Sequence, residues 1–347
     1  MNRFPFGFLP DGRECHLYIL RNAAGLEAKI ATYGGIVTEL HVPDRSGSLA
    51  DVVLGFKSLA EYLNGHPYFG AITGRAAGRL TQGKFRLDGK DYQLAVNNPP
   101  NHLHGGIVGF DKRLWQAHDA SDHATDRLRL SYVSPEGEEG YPGTVTVTVE
   151  YELTSRNELR ITYTATTDQP TLLNLTNHSY FNLNGEGSGD ILSHWLRVSA
   201  DRVTPADFDL TLDGRIASLA GEPNDFRVPA PIGSRIEGLL HQHGDSYLVN
   251  RSGPQETVVA ALWAPESGRL LEVSTTEPTL QFYTGRFLDG TLTGKSGRKY
   301  GRHAGACLEC QRYPEALGRP EFDTIELRPG QTYRQVTTYR FSTASHL

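Results

Sequence analysis

Val145-Thr-Val-Thr-Val-Glu-Tyr151 alternates apolar and polar side chains at every step. Successive side chains of a β-strand point to opposite faces of its sheet, so this alternation predicts a strand with one buried and one solvated face. The run Leu159-Arg-Ile-Thr-Tyr-Thr-Ala-Thr-Thr167 follows the turn-forming pair Asn157-Glu158 and has a similar pattern. The two runs predict two β-strands separated by a turn.

Similar runs extend along most of the chain. They are Leu128–Tyr132, Leu172–Leu175, Leu196–Val203, Thr257–Trp263, Leu270–Thr275, Thr279–Tyr283 and Tyr333–Phe341. Turn-forming pairs such as Asn157-Glu158 and Pro329-Gly330 lie between such runs. Helical patterns are few, and the clearest is the capping-box pattern of Ser58–Leu63. The sequence predicts an all-β fold, a sandwich or barrel of antiparallel strands, in one domain spanning residues 1–347.

The charge balance of the chain is mildly acidic. Its 347 residues include 34 basic and 40 acidic side chains, which gives a formal charge of −6. Because phosphate binding needs a basic face, this balance argues against nucleic acid as a partner. Nothing in the sequence approaches roughly 18 consecutive apolar residues, so we expect no membrane span and no membrane partner.

The chain has three cysteines, Cys15, Cys307 and Cys310. A small odd number does not form a disulfide framework and fits a reducing compartment, so we expect a cytoplasmic protein. Cys307-Leu-Glu-Cys310 has CxxC spacing, but it lies in β-like sequence without recognisable zinc partners. We interpret this pair as two packed thiols on a strand.

The segment Asn174-Leu-Thr-Asn-His-Ser-Tyr-Phe-Asn-Leu183 combines one histidine with three asparagines, a serine and a threonine. Such side chains hydrogen-bond to nearby backbone and compete with regular structure, so this strand end is expected to face something polar. An imidazole gives and takes protons near neutral pH. We therefore expect His178 in a polar pocket for a hydroxylated ligand, with a structural histidine as the alternative.

Two other segments combine glycines with ligand-binding side chains. Gly70-Ala-Ile-Thr-Gly-Arg75-Ala-Ala-Gly-Arg79 has two arginines that can bind a ligand oxygen, although a surface salt bridge is the default for an isolated arginine. Asn97-Asn-Pro-Pro-Asn-His102-Leu-His104-Gly-Gly106 has a His-X-His spacing. A metal would need a third ligand, and no spacing supports Asp245 or His178 in that role. We favour binding of a ligand hydroxyl by His104 and predict no metal.

Two carboxylates complete the set of candidates. Asp245 follows a glycine and precedes the apolar run Tyr247–Val249, where an aspartate is usually a turn former. Glu309 lies in the strand-like run Ala304–Pro314, where a glutamate usually points outward. If Glu309 is buried, desolvation raises its pKa toward the range of a general base. With His178 it would then form an acid–base pair, provided that the fold brings the two together.

Several motifs occur together in a recognisable order. They are Thr32–Ile36, Val42–Asp44, Asp51–Gly55, Gly74-Arg75, Arg79-Leu80, Leu103–Gly106, Gly109–Lys112, Asn177–Leu183, Gln281–Gly285 and Leu308–Gln311. In this order they resemble the aldose 1-epimerase (galactose mutarotase) family. The resemblance runs from about residue 30 to Tyr333, and the His178 motif is its most specific part.

This resemblance implies a large antiparallel β-sandwich, the supersandwich fold of the galactose mutarotases, with the sugar in an open cleft. It implies interconversion of the α and β anomers of free aldohexoses such as glucose and galactose, without a cofactor. The partner would be a small-molecule aldose, and we expect a monomer or a weak homodimer.

The resemblance also implies a role for each site residue. Glu309 would be the general base at the anomeric hydroxyl and His178 the general acid at the ring oxygen, and His104 would assist near that oxygen or a hydroxyl. The remaining hydroxyls would be held by Arg79, Asp245 and Gln281.

The chain departs from the family pattern in two places. Gly78 stands where the family usually has an asparagine before the arginine, which puts one hydroxyl contact in doubt. Asp245-Ser-Tyr247 is shorter than the usual aromatic-containing match. Both departures bear on the preferred sugar more than on the reaction.

Three alternatives stay open from the sequence. A hexose 6-phosphate epimerase would need extra cationic side chains, for which Arg75, Arg286 and Arg312 are candidates. A carbohydrate-binding module would lack His178 or Glu309, and the chain has both. A glycosidase would use two carboxylates, for which Asp245 and Glu309 can be imagined.

Overall fold

Strands are the main regular structure in the computed structural model, which describes residues 1–205, 212–239 and 244–347. Within these ranges the strands are β1 (Asn2–Phe8), β2 (Glu14–Arg21), β3 (Glu27–Ala31), β4 (Val37–Pro43), β5 (Leu49–Asp51), β6 (Ile72–Thr73), β7 (Arg79–Leu80), β8 (Lys84–Leu87), β9 (Lys90–Gln93), β10 (His102–Leu103), β11 (Gln116–Asp119), β12 (Asp126–Ser134), β13 (Val145–Leu153), β14 (Glu158–Thr167), β15 (Thr171–Leu172), β16 (Thr176–Asn177), β17 (Tyr180–Phe181), β18 (Trp195–Val198), β19 (Ala200–Thr204), β20 (Ala217–Ser218), β21 (Ala230–Pro231), β22 (Asp245–Val249), β23 (Thr257–Trp263), β24 (Arg269–Thr275), β25 (Thr279–Tyr283), β26 (Ala306–Gln311), β27 (Glu326–Leu327) and β28 (Tyr333–Thr343).

Helices are short throughout the described ranges. They are α1 (Leu59–Leu63), α2 (Ile236–Leu239) and single 3-10 turns at Thr81–Gly83, Phe110–Lys112, Glu138–Gly140 and Ile232–Ser234. The carboxylate of Glu61 accepts hydrogen bonds from the backbone N–H and the hydroxyl of Ser58 at 2.9 and 2.7 Å, as the capping-box pattern predicts. None of the described helices has the length and apolar character needed to cross a membrane.

Three sheets contain most of the strands. A five-stranded sheet has the order β1-β2-β3-β4-β5, and a six-stranded sheet has the order β17-β26-β25-β22-β19-β20. The largest sheet has nine strands in the order β11-β12-β13-β14-β28-β24-β23-β18-β21. The strand pairs described in these sheets are antiparallel. The predicted all-β antiparallel fold is therefore confirmed.

The main core lies between the nine-stranded and six-stranded sheets. Val147 and Val149 of β13 pair with Ala165 and Tyr163 of β14, and all four side chains are buried in one cluster. Leu280 and Phe282 of β25 and Leu308 and Cys310 of β26 belong to the same cluster. The two sheets thus form a sandwich, as predicted. Because side chains alternate along β26, Glu309 projects from the face that is turned away from this core.

Two predicted strands are interrupted where the chain changes its pairing partner. The run Leu196–Val203 forms β18 in the nine-stranded sheet and β19 in the six-stranded sheet, with Ser199 between them. The run Leu172–Leu175 is regular only up to Leu172, because Asn174 turns to another segment, where it forms a bridge with Ala76 and donates its N–H to the carbonyl of Arg75. Period-two patterning reports which side chains are buried, and it carries no information about the partner strand.

Candidate active site

A cavity of about 370 Å³ opens over the face of the six-stranded sheet that carries Glu309. Arg79, His104, His178, Gln281 and Glu309, all expected from the sequence, are among the described residues that line it. This volume lies in the range of small-molecule binding sites. The structure thus brings five of the six predicted site residues to one cavity.

Strand register explains why residues distant in sequence meet here. Ser246 of β22 is paired with Gln281 of β25, which is in turn paired with Glu309 of β26. Directly opposite residues of neighbouring strands share a face, so these three side chains form a row beneath the cavity. Gln311 lies two residues after Glu309 on the same face and also lines the cavity.

His178 enters the cavity from a short irregular segment between β16 and β17. Its N–H donates to the carbonyl of Ala71, and its carbonyl accepts from the N–H of Gly70, at 2.9 and 3.0 Å. The side-chain amide of Asn177 donates to the carbonyl of Gly70 at 2.8 Å, while its oxygen accepts from the Ser179 hydroxyl at 2.6 Å. These bonds fix the backbone on both sides of the imidazole.

The neighbouring asparagines also hydrogen-bond to backbone carbonyls. The amide of Asn174 donates to the carbonyls of Ala77 and Arg312, and the amide of Asn182 donates to the carbonyls of Gly189 and Ala304. The polar character of the segment therefore satisfies buried backbone in the adjoining loops. The histidine, and not the asparagines, faces the cavity.

The imidazole of His178 is enclosed by aromatic rings. Tyr68 and Tyr180 stack against it with interplanar angles of 26° and 25°, and His104 meets it edge-on at 80°. Its Nε2 lies 3.5 Å from Oε1 of Glu309. Both side chains are nearly inaccessible, at 6% and 3% relative exposure, so the pair is held in a low-dielectric environment.

Burial shifts both members of this pair toward their neutral forms. Desolvation raises the pKa of Glu309 to about 8, although the positive charge of Arg79 opposes this rise. Desolvation lowers the pKa of His178 to about 4. A glutamate buried this deeply satisfies the condition under which the sequence predicted a general base. Perturbed pairs of this kind are a common feature of acid–base sites.

Hydrogen bonding fixes the tautomer of His104. Its Nδ1 accepts the N–H of Gly78 at 3.1 Å, so in the neutral imidazole the hydrogen must reside on Nε2. Burial lowers the pKa of His104 well below its usual value, which keeps the ring neutral. His104 therefore offers the cavity an N–H donor. His102 does not reach the cavity, because its nitrogens bond Tyr141 and the carbonyl of Ala95 at 2.7 Å.

The ligand atoms of His104, His178 and Glu309 lie within 4.8 Å of one another, a separation at which they can surround a metal ion. A metal would need a lone pair on Nε2 of His104, and the bond from Gly78 puts a hydrogen there. A second cluster, Glu39, His41 and Asp51, has the same compactness. Its carboxylates already pair with the ammonium groups of Lys29 and Lys295 at 2.7 and 2.6 Å. Hydrogen bonding and ion pairing thus oppose a metal at both places.

The two arginines of the glycine-rich segment have different surroundings. Arg79 lines the cavity, and its Nε donates to Oδ1 of Asn98 at 3.1 Å. Arg75 is buried, and its guanidinium donates to the carbonyls of Ser134, Pro142 and Gly143 at 2.8–2.9 Å. Arg75 is therefore a structural residue that organises loops, and it is not available for a ligand in the cavity.

Asp245 is the predicted site residue that the structure leaves outside this lining, which contains its neighbours Gly244 and Ser246. It is paired with Phe282, whose side chain lies in the core, and its Oδ1 accepts a hydrogen bond from the Asn224 amide at 3.0 Å. Burial raises its pKa to about 7. Alternation along β22 turns Ser246 toward the cavity, and the contact that the structure shows for Asp245 is with Asn224. The expected sugar contact of Asp245 stays a prediction.

Several lining residues were not predicted. Tyr68 lies outside the segments with a chemical motif, whereas Asn98 and Gln311 lie inside such segments but were given no role. Cys307, interpreted as a packed thiol, places Sγ 3.6 Å from Nδ1 of His178. The period-two spacing of Cys307, Glu309 and Gln311 on one strand was a usable signal that all three share a face. Oε2 of Glu309 and Oε1 of Gln311 lack hydrogen-bond partners among the described residues, which suits a ligand rich in donors.

Three comparisons with known proteins give consistent results. The aldose 1-epimerase family model matches residues 16–340. The galactose mutarotase of Rattus norvegicus is 45% identical over 345 residues, covering 99% of each chain, and the aldose 1-epimerase of Escherichia coli K12 is 35% identical over 343 residues, covering 96% of each. The crystal structure of a GalM/aldose epimerase homologue from C. elegans superimposes with a TM-score of 0.87 at 30% identity, covering 94% of this chain and 99% of that one. The chain therefore belongs to the aldose 1-epimerase family.

Proposed function

We propose that this protein interconverts the α and β anomers of free aldohexoses, glucose and galactose among them, with His178 as general acid and Glu309 as general base. The observation that carries the proposal is the 3.5 Å approach of His178 Nε2 to Glu309 Oε1 in a cavity that fits a small molecule. Family membership supplies the reaction class, and the geometry supplies groups that suit it.

Ring opening needs one proton removed and one proton supplied on neighbouring oxygens. Glu309 takes the proton of the anomeric hydroxyl while His178 Nε2 gives a proton to the ring oxygen. The bond between C1 and the ring oxygen breaks, and C1 becomes an aldehyde. After rotation about C1–C2 both proton transfers reverse, and the ring closes with the opposite configuration. No electrons leave the sugar, so no redox partner is required.

The pair holds one proton at neutral pH. With a raised pKa at Glu309 and a lowered pKa at His178, that proton resides on Glu309 when the cavity holds no sugar. Moving it to His178 creates the reactive carboxylate and imidazolium without any exchange with solvent. Sugar hydroxyls and the charge of Arg79 stabilise this ionic form, since hydrogen bonding and opposite charge both favour the carboxylate.

Apart from Arg79, the remaining polar groups among the described residues of the cavity are neutral. Arg79, His104 and Asn98 lie on one side of the cavity and Gln281 and Gln311 belong to the strands beneath it. His104 presents an Nε2–H donor suited to the ring oxygen or a hydroxyl. Amides both donate and accept, so they match hydroxyl groups of either orientation.

This cavity is less suited to a hexose 6-phosphate than to a free hexose. Among the described residues that line the cavity, Arg79 is the one arginine or lysine. Arg75 donates its hydrogen bonds to backbone carbonyls elsewhere. Arg312 stacks on Tyr333 and bonds the carbonyl of Thr324. Phosphate recognition usually uses several charge-assisted bonds. A glycosidase is also disfavoured, because Asp245 bonds Asn224 and is absent from the described lining.

Polarimetry on freshly dissolved α-D-glucose and α-D-galactose tests the proposal. We expect the protein to accelerate the approach to the equilibrium rotation for at least one of the two sugars. Glucose 6-phosphate is the matched comparison, and faster catalysis on it would favour the phosphate-specific alternative. Binding of a sugar without acceleration would identify a carbohydrate-binding module instead.

We also propose a reducing, cytoplasmic location. All three cysteines are free and buried, and a fold without disulfides does not need an oxidising compartment. Cell fractionation with an antibody to the protein tests this location. A monomer or weak homodimer stays a prediction, which sedimentation velocity can check.

A further inference from the structure

One strand contacts both nitrogens of the His178 imidazole. β26 carries Cys307 and Glu309 two residues apart on the same face, roughly 6.6 Å along the strand. Cys307 Sγ lies 3.6 Å from Nδ1, and Glu309 Oε1 lies 3.5 Å from Nε2. The ring is therefore held between a thiol and a carboxyl, with Tyr68 and Tyr180 on its faces.

We propose that Cys307 is a positioning residue whose sulfur accepts the Nδ1–H of His178 and so keeps Nε2 as the nitrogen that exchanges protons. This proposal rests on the proposed function, since it assigns the acid role to Nε2. Nothing in the family motif or in the CxxC spacing assigns this task to the cysteine.

The assignment follows from what each nitrogen faces. Nε2 faces Glu309, which holds a proton in the sugar-free cavity because burial raises its pKa. A protonated carboxyl is best matched by a bare Nε2, which leaves the single hydrogen of the neutral ring on Nδ1. After His178 gives its Nε2 proton to the ring oxygen, the same tautomer results. A sulfur acceptor at Nδ1 therefore favours the tautomer that is present both before and after the proton transfer.

Sulfur differs from the usual partner of a catalytic histidine. A carboxylate or backbone carbonyl at Nδ1 stabilises the imidazolium and raises its pKa. The backbone of His178 itself acts in this direction, but desolvation outweighs it and the pKa of His178 is lowered. The buried Cys307 stays an uncharged thiol, because desolvation raises its pKa well above the usual value. A neutral, weak acceptor orients the ring with little stabilisation of its charged form. His178 thereby stays a strong acid toward a weakly basic ring oxygen.

Several titratable and charged groups face His178 and contribute to its titration. They are Glu309 and Cys307 on β26, Tyr180 on β17, His66 and Tyr68 in the loop before β6, Arg79 on β7 and His104 after β10. Substitutions at Cys307 keep all of the other groups but remove the hydrogen bond between Cys307 and Tyr180.

Cys310 offers a matched control on the same strand. It is equally buried and free, but it projects into the main core and does not contact His178. A general packing role would make Cys307→Ala and Cys310→Ala alike. A positioning role predicts that only Cys307→Ala lowers kcat, by about 10- to 100-fold, with KM nearly unchanged. Cys307→Ser, which keeps an acceptor, should recover part of this loss and shift the acid limb of the pH profile.

The direct measurement is a two-bond ¹H–¹⁵N correlation spectrum of the protein labelled with ¹⁵N-histidine. We expect the neutral His178 ring with its hydrogen on Nδ1 in the wild type and in Cys310→Ala, and a tautomer mixture in Cys307→Ala. A wild-type ring with its hydrogen on Nε2 overturns the proposal, whether or not any variant folds. Unchanged kcat in a folded Cys307→Ala variant does the same. A wild type without polarimetric activity would instead reject the proposed function, and the spectrum would still report the tautomer.

Discussion

Nε2 of His178 lies 3.5 Å from Oε1 of Glu309, across the cavity wall formed where β17 pairs with β26. The two side chains come from distant parts of the sequence, yet the pairing of Tyr180 with Cys307 places each beside the other. Both side chains are almost fully buried in low-dielectric surroundings and share one proton. A substitution at either residue therefore also changes the protonation of the other.

Removing either member of the pair should abolish most of the activity. We expect His178→Asn and Glu309→Gln each to lower kcat by roughly 10²- to 10⁴-fold, the usual contribution of a well-placed acid or base. Both replacements are close in shape, so circular dichroism should show an intact fold. Polarimetry measures the loss, and near-normal turnover in either folded variant would reject the assigned roles.

Activity should depend on pH with two limbs. Below the lowered pKa of His178, about 4, both groups are protonated and Glu309 cannot accept a proton. Above the raised pKa of Glu309, about 8, the pair has lost its proton and His178 has none to give. The profile of kcat/KM should therefore fall on both sides of this window. Buffer-corrected polarimetry checks it, and activity that keeps rising well above the upper limb would contradict the shared-proton scheme.

Substitutions at Gln281 and Asp245 should have different effects on KM, although the resemblance implies sugar binding by both. Gln281 lines the cavity, so Gln281→Ala should raise KM about 10-fold, equivalent to one hydrogen bond of about 1.4 kcal/mol. Asp245 bonds Asn224, so Asp245→Asn should leave KM within about twofold of the wild type. Initial-rate polarimetry over a range of sugar concentrations measures both. An equal rise in KM for Asp245→Asn would instead support the sugar contact that the resemblance implied.

Gly78 should tolerate no side chain. Its φ is 80°, and an added Cβ would lie 2.2 Å from Cγ of Pro314. Gly89 is a matched control, since its φ is 77° and nothing lies within 4 Å of an added Cβ. Each alanine carries left-handed strain of about 1 kcal/mol, and Gly78→Ala should lose about 1–3 kcal/mol more from overpacking.

Urea unfolding of both glycine variants measures this difference in stability. Gly78→Ala should also lower kcat/KM, because the N–H of Gly78 holds the His104 tautomer. Equal losses of stability in the two variants would mean that Pro314 moves aside. In that case the asparagine usual in the family could also be accommodated at this position.

Much of the fold was predictable from local patterning. The alternation in Val145–Tyr151 reappears as β13, and the runs Thr257–Trp263 and Thr279–Tyr283 are strands with those same bounds. These predictions succeed because the two-residue period of a strand is a local property. The break at Ser199 was not predictable, since it marks a change of sheet rather than a change of pattern.

The candidate site was likewise predictable only in part. The sequence by itself determined the residue types, the strand that carries Glu309, and the motif order that resembles the family. Only the tertiary structure decided that Glu309 is buried against His178, that Asp245 bonds Asn224, and that Cys307 contacts Nδ1. Strand register and sheet packing set those contacts, and both depend on pairings between distant segments that no local pattern contains.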